Sequence, residues 1–320
     1  MMNRRKFVRE TGKLLLTSGI LGMASSCRDL LSEDKAMTLD IEIPSSLFFN
    51  LSLAEWSMHK SIWSGSVNHL DFARIAKETF GIGAVEYVNQ FFIDKAQDIS
   101  FLSEMKVRAE DHGVKSLIIM VDMEGSLGIL NEKSRLQAVE NHYKWIEAAQ
   151  FLECHSIRVN AAGKGGRREV ADAVSDSLGR LCDYASNMNI NILVENHGGY
   201  SSDADWLAGV MRQVNHPNCG LLPDLGNFMI SLFPPKYYNP YDGLEKLMPY
   251  AKGVSAKSHD FNKSFEEKKI DYAKMLGIIR EVGFKGHIGI EYEGYKLSEY
   301  AGIKATKKLL IESGMKTMPG

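Results

Sequence analysis

Eight short apolar runs, spaced roughly thirty to thirty-five residues apart, constrain the fold more than any other feature of the sequence. They are rich in Val, Ile and Leu, and they cover residues 48–54, 84–88, 116–121, 156–160, 190–195, 220–224, 253–257 and 287–291. This spacing leaves room for one covering helix after each strand. Continuous apolar strands that alternate with helices predict a parallel sheet covered by helices.

The segments between these runs have helical periodicity. Apolar side chains recur on one face at positions 70, 73, 76 and 80, at 136, 139, 143 and 146, and at 272, 276, 279 and 282. Eight strand–helix units favour closure into a (β/α)8 TIM barrel over an open sheet, and we assign residues 46–320 to this one domain. The stretch after the first strand reads SLAEWSMH and lacks the Gly-x-Gly-x-x-Gly of a dinucleotide fold.

The first 26 residues have the pattern of a signal peptide. Arg4 and Arg5 precede a short apolar run, which resembles a twin-arginine export signal. Small residues then lead directly to Cys27, as in a bacterial lipoprotein, where this cysteine carries the lipid. Residues 27–45 read as a lipidated tether. We therefore expect an exported periplasmic or cell-envelope lipoprotein that touches the membrane only through its N-terminal lipid.

Charge and cysteine content exclude several classes of protein. Lys and Arg number 38 against 40 Asp and Glu, for a formal net charge of -2, and no basic stripe is visible. A nucleic-acid partner is therefore disfavoured, because phosphate binding depends on such charge. After Cys27 three cysteines remain, Cys154, Cys182 and Cys219, and their odd number and wide spacing disfavour a disulfide framework or a thiolate zinc site.

Carboxylates follow three of the last four predicted strands. Glu195 ends the fifth, Asp224 the sixth and Glu291 the eighth. The carboxyl ends of barrel strands form the active face, so these side chains should meet at one mouth. Such a cluster is costly to bury unless a cation neutralises it. We expect one divalent ion there, Mn²⁺, Mg²⁺ or Co²⁺, with Glu195, Asp224 and Glu291 as ligands.

A metal held in this way suits proton transfer next to a sugar carbonyl. It polarises the carbonyl and stabilises the ene-diolate that forms when the neighbouring carbon loses its proton. Glu195 and Glu291 are the candidates for removing and returning that proton. Glu293, two residues further along the last strand, is an alternative to Glu291.

Other polar and aromatic residues near the strand ends are candidates for binding substrate. They are Trp56, His59, Glu86, Arg158, His197, Asn227 and Lys257. Several of these assignments leave alternatives open. Trp56 could stack on a sugar or plug the barrel, Lys257 could point inward or into solvent, and His197 could support the metal site or belong to a loop.

The order of these motifs resembles the xylose isomerase-like barrel superfamily, which includes the D-tagatose 3-epimerase-like sugar epimerases, over essentially the whole mature chain. Members of that group bind one divalent ion through Glu, Asp, His and Glu from strands five to eight. The resemblance makes Glu195 in VENHGG, Asp224 in PDLGN and Glu291 in GIEYEG the corresponding ligands. It also implies that the two glutamates form the acid–base pair.

The sequence departs from that pattern at the seventh strand. The family has His-x-Lys there, and the run VSAKSHDF places Ser255 at the His position when Lys257 is aligned with Lys. His259 could supply the fourth ligand only if the strand end is displaced. Asn227 also replaces a His that epimerases often place three residues after the Asp.

Three functions fit these observations. The leading hypothesis is a metal-dependent isomerase or epimerase of an unphosphorylated sugar or keto-sugar. A lyase or hydrolase of 3-oxo-glycosides would use the same site. A non-catalytic sugar-binding lipoprotein is the third, because Ser255 stands where the family has a metal-ligating His. In each case the partner is a small sugar or glycoside, and the sequence leaves open whether identical subunits assemble.

Overall fold

The computed structural model describes residues 41–262 and 264–317 of the 320-residue chain. The predicted signal segment, Cys27 and the tether as far as residue 40 lie outside the described residues. Ile41, near the end of the predicted tether, already packs against the hydrophobic core. In the part of the chain described here, no helix combines the length and apolar character required to cross a bilayer.

Eight parallel strands form the sheet that the sequence predicts. They are β1 (Asn50–Ala54), β2 (Ala84–Val88), β3 (Lys115–Met120), β4 (Ser156–Asn160), β5 (Asn191–Glu195), β6 (Cys219–Leu222), β9 (Val254–Ser258) and β10 (His287–Tyr292). Their order is β6-β5-β4-β3-β2-β1-β10-β9, so chain neighbours pair throughout and β1 joins β10. The prediction of a (β/α)8 barrel is confirmed.

The ring closes at a seam between β6 and β9. No continuous ladder joins these two strands, and the connection consists of isolated parallel bridges, Leu221 with Ala251 and Asp224 with Ser255. Ser255 anchors the upper bridge: its backbone N–H donates to Pro223 at 2.9 Å, and its carbonyl accepts from the Leu225 N–H at 3.0 Å. The backbone hydrogen bonds of Ser255 with Pro223 and Leu225, which follow β6, therefore complete the barrel just below its mouth.

Nine α-helices accompany the strands in the described residues. They are α1 (His59–Trp63), α2 (Phe72–Phe80), α3 (Ile99–Asp111), α4 (Glu132–Phe151), α5 (Arg167–Ser186), α6 (Ala204–Val214), α7 (Pro240–Leu247), α8 (Tyr272–Glu281) and α9 (Glu299–Lys316). Several begin at a side chain that accepts a hydrogen bond from a free backbone N–H of the first turn. Asp98, Asn131, Asp203, Asp271 and Ser298 act in this way.

The core has two parts. The larger cluster fills the layer between the strands and the helices, where Phe72, Trp145 and Tyr272 are fully buried. The smaller cluster draws its members only from β1, β2, β3, β5 and β6, which places it inside the barrel. Its members are Ala54, Ala84, Val88, Leu117, Ile118, Met120, Leu193 and Leu222. This apolar layer is the floor beneath the polar side chains of the mouth.

One element was not expected from the sequence. A two-stranded antiparallel hairpin, β7 (Met229–Leu232) and β8 (Pro235–Tyr237), stands between Asp224 and α7.

The three cysteines that the structure describes, Cys154, Cys182 and Cys219, are free, as their odd number suggested.

Candidate active site

The structure brings together the three carboxylates that the sequence singled out. Glu195 ends β5, Asp224 follows β6 and Glu291 lies in β10, and one carboxylate oxygen of each lies within 4.8 Å of the others. All three are buried, with at most 4% of their surface exposed. We call this group the acidic centre. Three carboxylates at this distance repel one another, so the protein must supply positive charge or retain protons there.

Lys257 supplies part of that charge from β9. Its ammonium nitrogen lies 3.2 Å from Glu291 Oε1, 3.6 Å from Asp224 Oδ2 and 3.4 Å from Glu293 Oε2. The side chain is 2% exposed, which resolves its direction as inward. Burial acts to lower the pKa of Lys257, but the surrounding carboxylates outweigh it and hold the pKa well above its ordinary value. The ammonium is therefore a fixed positive charge inside the mouth.

Ser255 occupies the strand position at which the family has His. Its hydroxyl donates to Glu291 Oε2 at 2.6 Å and lies 3.4 Å from Asp224 Oδ2. Burial alone would raise the pKa of Glu291, but Lys257 and this hydrogen bond lower it. Burial raises the pKa of Asp224 well above its usual range, and the charges of Glu195 and Glu291 add to this effect. Within this group Asp224 therefore holds a proton most readily, whereas the ionised form of Glu291 is favoured.

Two asparagines hold Asp224 in place. The side chain of Asn196 accepts from the Asp224 N–H at 2.7 Å and donates to its carbonyl at 2.9 Å. Asn227 Nδ2 donates to Glu195 Oε1 at 3.2 Å and to Asp224 Oδ2 at 3.1 Å, so it links two members of the acidic centre. The backbone N–H groups of Gly226 and Asn227 complete the cradle on Asp224 Oδ1.

Arg158 contacts the carboxylate oxygen of Glu195 that Asn227 does not bind. Its Nε lies 2.9 Å from Glu195 Oε2, an ion pair without the alignment of a hydrogen bond. Its Nη1 donates to Asp122 Oδ1 at 2.8 Å. Burial would raise the pKa of Asp122, but the Arg158 guanidinium outweighs it and holds that pKa well below the usual range. Arg158 is thus fixed between two carboxylates and orients Glu195.

Glu86 is a fourth carboxyl group inside the barrel. Ser52 donates to its Oε1 at 2.6 Å, while Oε2 is buried without a hydrogen-bond partner. Gly289 in β10, the strand beyond β1, lies beside this carboxyl group, and a Cβ at that position would lie 2.6 Å from Glu86 Oε1. Glycine leaves space for the carboxyl group as it stands. Burial raises the pKa of Glu86 to about 7, and the charges of Glu291 and Glu195 act in the same direction.

Glu86 should therefore make stability depend on pH. The folded protein keeps this proton up to about pH 7, whereas the unfolded chain loses it near its ordinary pKa of 4.5. The stability that Glu86 contributes is complete below pH 4.5 and is lost as the pH rises through 7. For Glu86→Gln we expect the free energy of unfolding to exceed that of the wild type by about 3 kcal/mol at pH 8 and by about 1 kcal/mol or less at pH 5. Urea unfolding at both pH values measures this, and parallel pH profiles for the two proteins would contradict it.

The candidate histidines lie apart from the acidic centre. His197 is exposed in the loop after β5, and its backbone N–H donates to Ser201. β9 ends at Ser258, so His259 begins the next loop and is not in the group of ligand atoms within 4.8 Å. His59 lies at the start of α1, and its ring stacks on Trp56 with centroids 4.8 Å apart.

Trp56 lies at the edge of the acidic centre. Its indole N–H donates to Glu293, whose other carboxylate oxygen contacts Lys257. Trp56 also packs against the apolar cluster inside the barrel, so it both covers the barrel floor and borders the polar mouth. The two interpretations left open by the sequence are compatible in this geometry.

The donor set of the acidic centre fits a hard divalent ion. Three carboxylate oxygens within 4.8 Å of one another can share one ion, and the Ser255 hydroxyl adds a further oxygen beside two of them. Oxygen donors suit Mg²⁺ or Mn²⁺. Such an ion would compete with protons and with the Lys257 ammonium for the same negative charge.

Sequence reasoning missed Asp122 and underrated Ser255 and Glu293. Asp122 lies two residues after the end of β3 and binds Arg158, Asn160 and Gln90, so its place after a strand was the available signal. Ser255 was considered only as a lost ligand, although it connects Glu291 to Asp224. Glu293 was considered only as a substitute for Glu291, yet it links Lys257 to Trp56.

Residues 73–316 match the family described as the xylose isomerase-like TIM barrel, and the chain belongs to this family. No curated protein matches it by sequence. The sequence resemblance to this family implied a metal site at the mouth of the barrel, and the acidic centre lies there.

Solved structures of low sequence identity share the fold. The IOLI protein with a bound zinc atom has a TM-score of 0.64 at 17% identity, covering 85% of this chain and 100% of that chain. A D-tagatose 3-epimerase-like protein has 0.63 at 20% identity, with 84% and 98% covered. The 3-keto-D-glucoside 4-epimerase from E. coli has 0.62 at 14% identity, with 82% and 99% covered.

Proposed function

We propose that this protein is a sugar isomerase or epimerase that moves a proton next to the carbonyl of an unphosphorylated sugar or keto-sugar. The observation that carries the proposal is the acidic centre, in which three buried carboxylates converge beside the Lys257 ammonium. The expected export from the cytoplasm supports an unphosphorylated substrate. The names of the similar structures, which include D-tagatose and D-psicose epimerases, support sugar chemistry.

We assign to Glu195 and Glu291 the acid–base roles on one carbon, from two directions. They come from β5 and β10, which are separated around the ring by β6 and β9. Glu291 is ionised through Lys257 and Ser255, so it can accept a proton from carbon. Glu195, oriented by Arg158 and Asn227, enters the reaction protonated and gives that proton to the same carbon for epimerisation or to the neighbouring carbon for isomerisation. Glu291 then releases its proton to solvent, and Glu195 takes up another.

The other polar residues hold the substrate and its developing charge. When bound, a divalent ion held by Glu195, Asp224 and Glu291 would polarise the carbonyl. Lys257 keeps a fixed positive charge beside the site where an enediolate oxygen would form. The apolar layer beneath the mouth keeps water away from the barrel interior. The negative charge that develops on the substrate oxygen is therefore stabilised by preorganised groups rather than by solvent.

Exchange of substrate hydrogen with solvent tests this proposal. We would incubate the mature protein with Mn²⁺ in D2O and a set of unphosphorylated ketohexoses and 3-oxo-glucosides. We expect deuterium at the carbon next to the carbonyl in recovered substrate, detected by mass spectrometry and NMR. Absence of exchange with every sugar, in a protein that binds the sugar, would contradict the proposal and favour the non-catalytic binding lipoprotein.

A lyase or hydrolase of 3-oxo-glycosides is the second candidate. It begins with the same proton removal and then expels the aglycone from the neighbouring carbon. The exposed Trp63, which packs on Trp56 at the edge of the acidic centre, favours this candidate because a second group on the sugar could lie against it. Release of free aglycone in the same incubations would identify this reaction, whereas deuterated substrate without release would identify an epimerase.

A further inference from the structure

We propose that Trp56, Trp63 and Phe91, which we call the aromatic wall, form a subsite for a flat apolar ring attached to the sugar. The substrate class is then an aryl glycoside or a similar sugar with a planar aglycone. This inference rests on the proposed sugar chemistry of the acidic centre and adds a determinant of specificity to it.

The aromatic wall is built from the first two loops of the active face. Trp56 follows β1, Trp63 ends α1, and Phe91 lies in the 3-10 turn (Asn89–Phe92) after β2. The Trp63 ring meets Trp56 edge to face with centroids 5.1 Å apart, and it meets Phe91 at 5.8 Å. Trp56 and Phe91 are 6.2 Å apart. The three rings therefore make one continuous surface.

The base of this surface is fixed and its outer ring is exposed. Trp56 and Phe91 pack against the apolar cluster inside the barrel, which immobilises them. Trp63 stands on both rings and keeps 57% of its surface exposed to solvent. An exposed indole on a preformed aromatic base is the kind of surface that binds a planar apolar group, because the base requires little ordering on binding.

A direct chain of contacts connects the aromatic wall to the acidic centre. The Trp56 indole N–H donates to Glu293, Glu293 Oε2 lies 3.4 Å from Lys257 Nζ, and Lys257 lies 3.2 Å from Glu291 Oε1. A sugar placed against the acidic centre would thus have its next substituent beside the rings. This continuity is the reason for assigning the wall to the substrate rather than to a protein partner.

A pair of matched probes tests the subsite by binding alone. Phenyl and methyl β-D-glucopyranosides differ only in the aglycone, and the corresponding galactosides control for the sugar. We expect the wild-type protein to bind the phenyl glycoside about tenfold more tightly than the methyl glycoside. Isothermal titration gives both Kd values, and saturation-transfer NMR shows whether the phenyl ring or the sugar lies against the protein.

Variants of the exposed ring locate the effect. Trp63→Ala should bring the ratio of the two Kd values to about one, and Trp63→Phe, which keeps a ring, should restore most of it. Tyr184→Ala is the control, because it removes one ring of the stacked Tyr143–Tyr184 pair on the outer helices α4 and α5. It should leave the ratio unchanged.

Two outcomes would overturn the inference. One is a ratio near one in the wild type for both glucosides and galactosides, and the other is a preference for phenyl that survives Trp63→Ala. Because these are binding measurements, they are independent of the deuterium exchange that tests the reaction. Loss of the phenyl preference with intact exchange refutes only the subsite, and the reverse result refutes only the proposed reaction.

Discussion

Replacing Glu195 or Glu291 by Gln should lower the rate at which the sugar is converted into its epimer or isomer by about 10²–10⁴-fold. Gln keeps the shape and much of the hydrogen bonding of each side chain but cannot accept a proton from carbon or donate an acidic one. Either single change should be sufficient, because one carboxyl group removes the proton and the other delivers one. The rate of product formation in D2O under saturating sugar and Mn²⁺ measures the effect.

Glu124→Gln is the matched control for these variants. Glu124 is a buried glutamate at 7% exposure that binds Trp145 and Lys144 rather than the acidic centre. It should convert the sugar at the wild-type rate. If Glu195→Gln and Glu291→Gln retain more than about a tenth of the wild-type rate of conversion while folded, the acid–base assignment is wrong.

Replacing Lys257 by Met should reduce the free energy of unfolding by about 3–5 kcal/mol. Met has a similar length but no charge, so Glu291 and Asp224 lose the ammonium that lies 3.2 and 3.6 Å from them. The remaining carboxylates would then be buried with less compensation. Urea unfolding at pH 7.5 without metal measures the loss.

A divalent ion should partly replace the missing ammonium. Millimolar Mn²⁺ should raise the stability of Lys257→Met more than that of the wild type, because ligand binding to the folded state alone stabilises it. Lys246→Met is the control, since Lys246 pairs with Asp205 at the surface with 44% of its side chain exposed, and its loss should cost at most about 1 kcal/mol. A loss below about 1 kcal/mol for Lys257→Met would show that the ammonium is not needed to neutralise the acidic centre.

The strands were readable from sequence because their apolar runs end at turn residues. Residues 84–88 and 156–160 were predicted with the bounds that the structure shows. The sixth run was predicted to reach residue 224, but β6 ends at Leu222. Pro223 follows and has no backbone N–H to donate to the ladder, which explains the earlier end.

Other features depend on contacts that the sequence does not reveal. The β7–β8 hairpin contains Pro234 and Pro235, which argue against a strand, yet its local pairing needs few hydrogen bonds. The direction of Lys257 could not be read because every residue of β9 is buried, so no alternation marks its inner face. Ser255 seemed a loss when judged by residue type alone, and only the fold shows which oxygens it joins.

The seam between β6 and β9 has fewer backbone hydrogen bonds than the continuous ladders that join the other neighbouring strands. Asp224 stands on one side of it, and Ser255, Lys257 and, through them, Glu291 stand on the other. A ligand held by both sides would therefore add its own binding free energy to closure of the ring. Ligand binding at the mouth should therefore stabilise the whole barrel against opening at the seam. Amide hydrogens along the seam should then exchange more slowly with solvent when the mouth is filled.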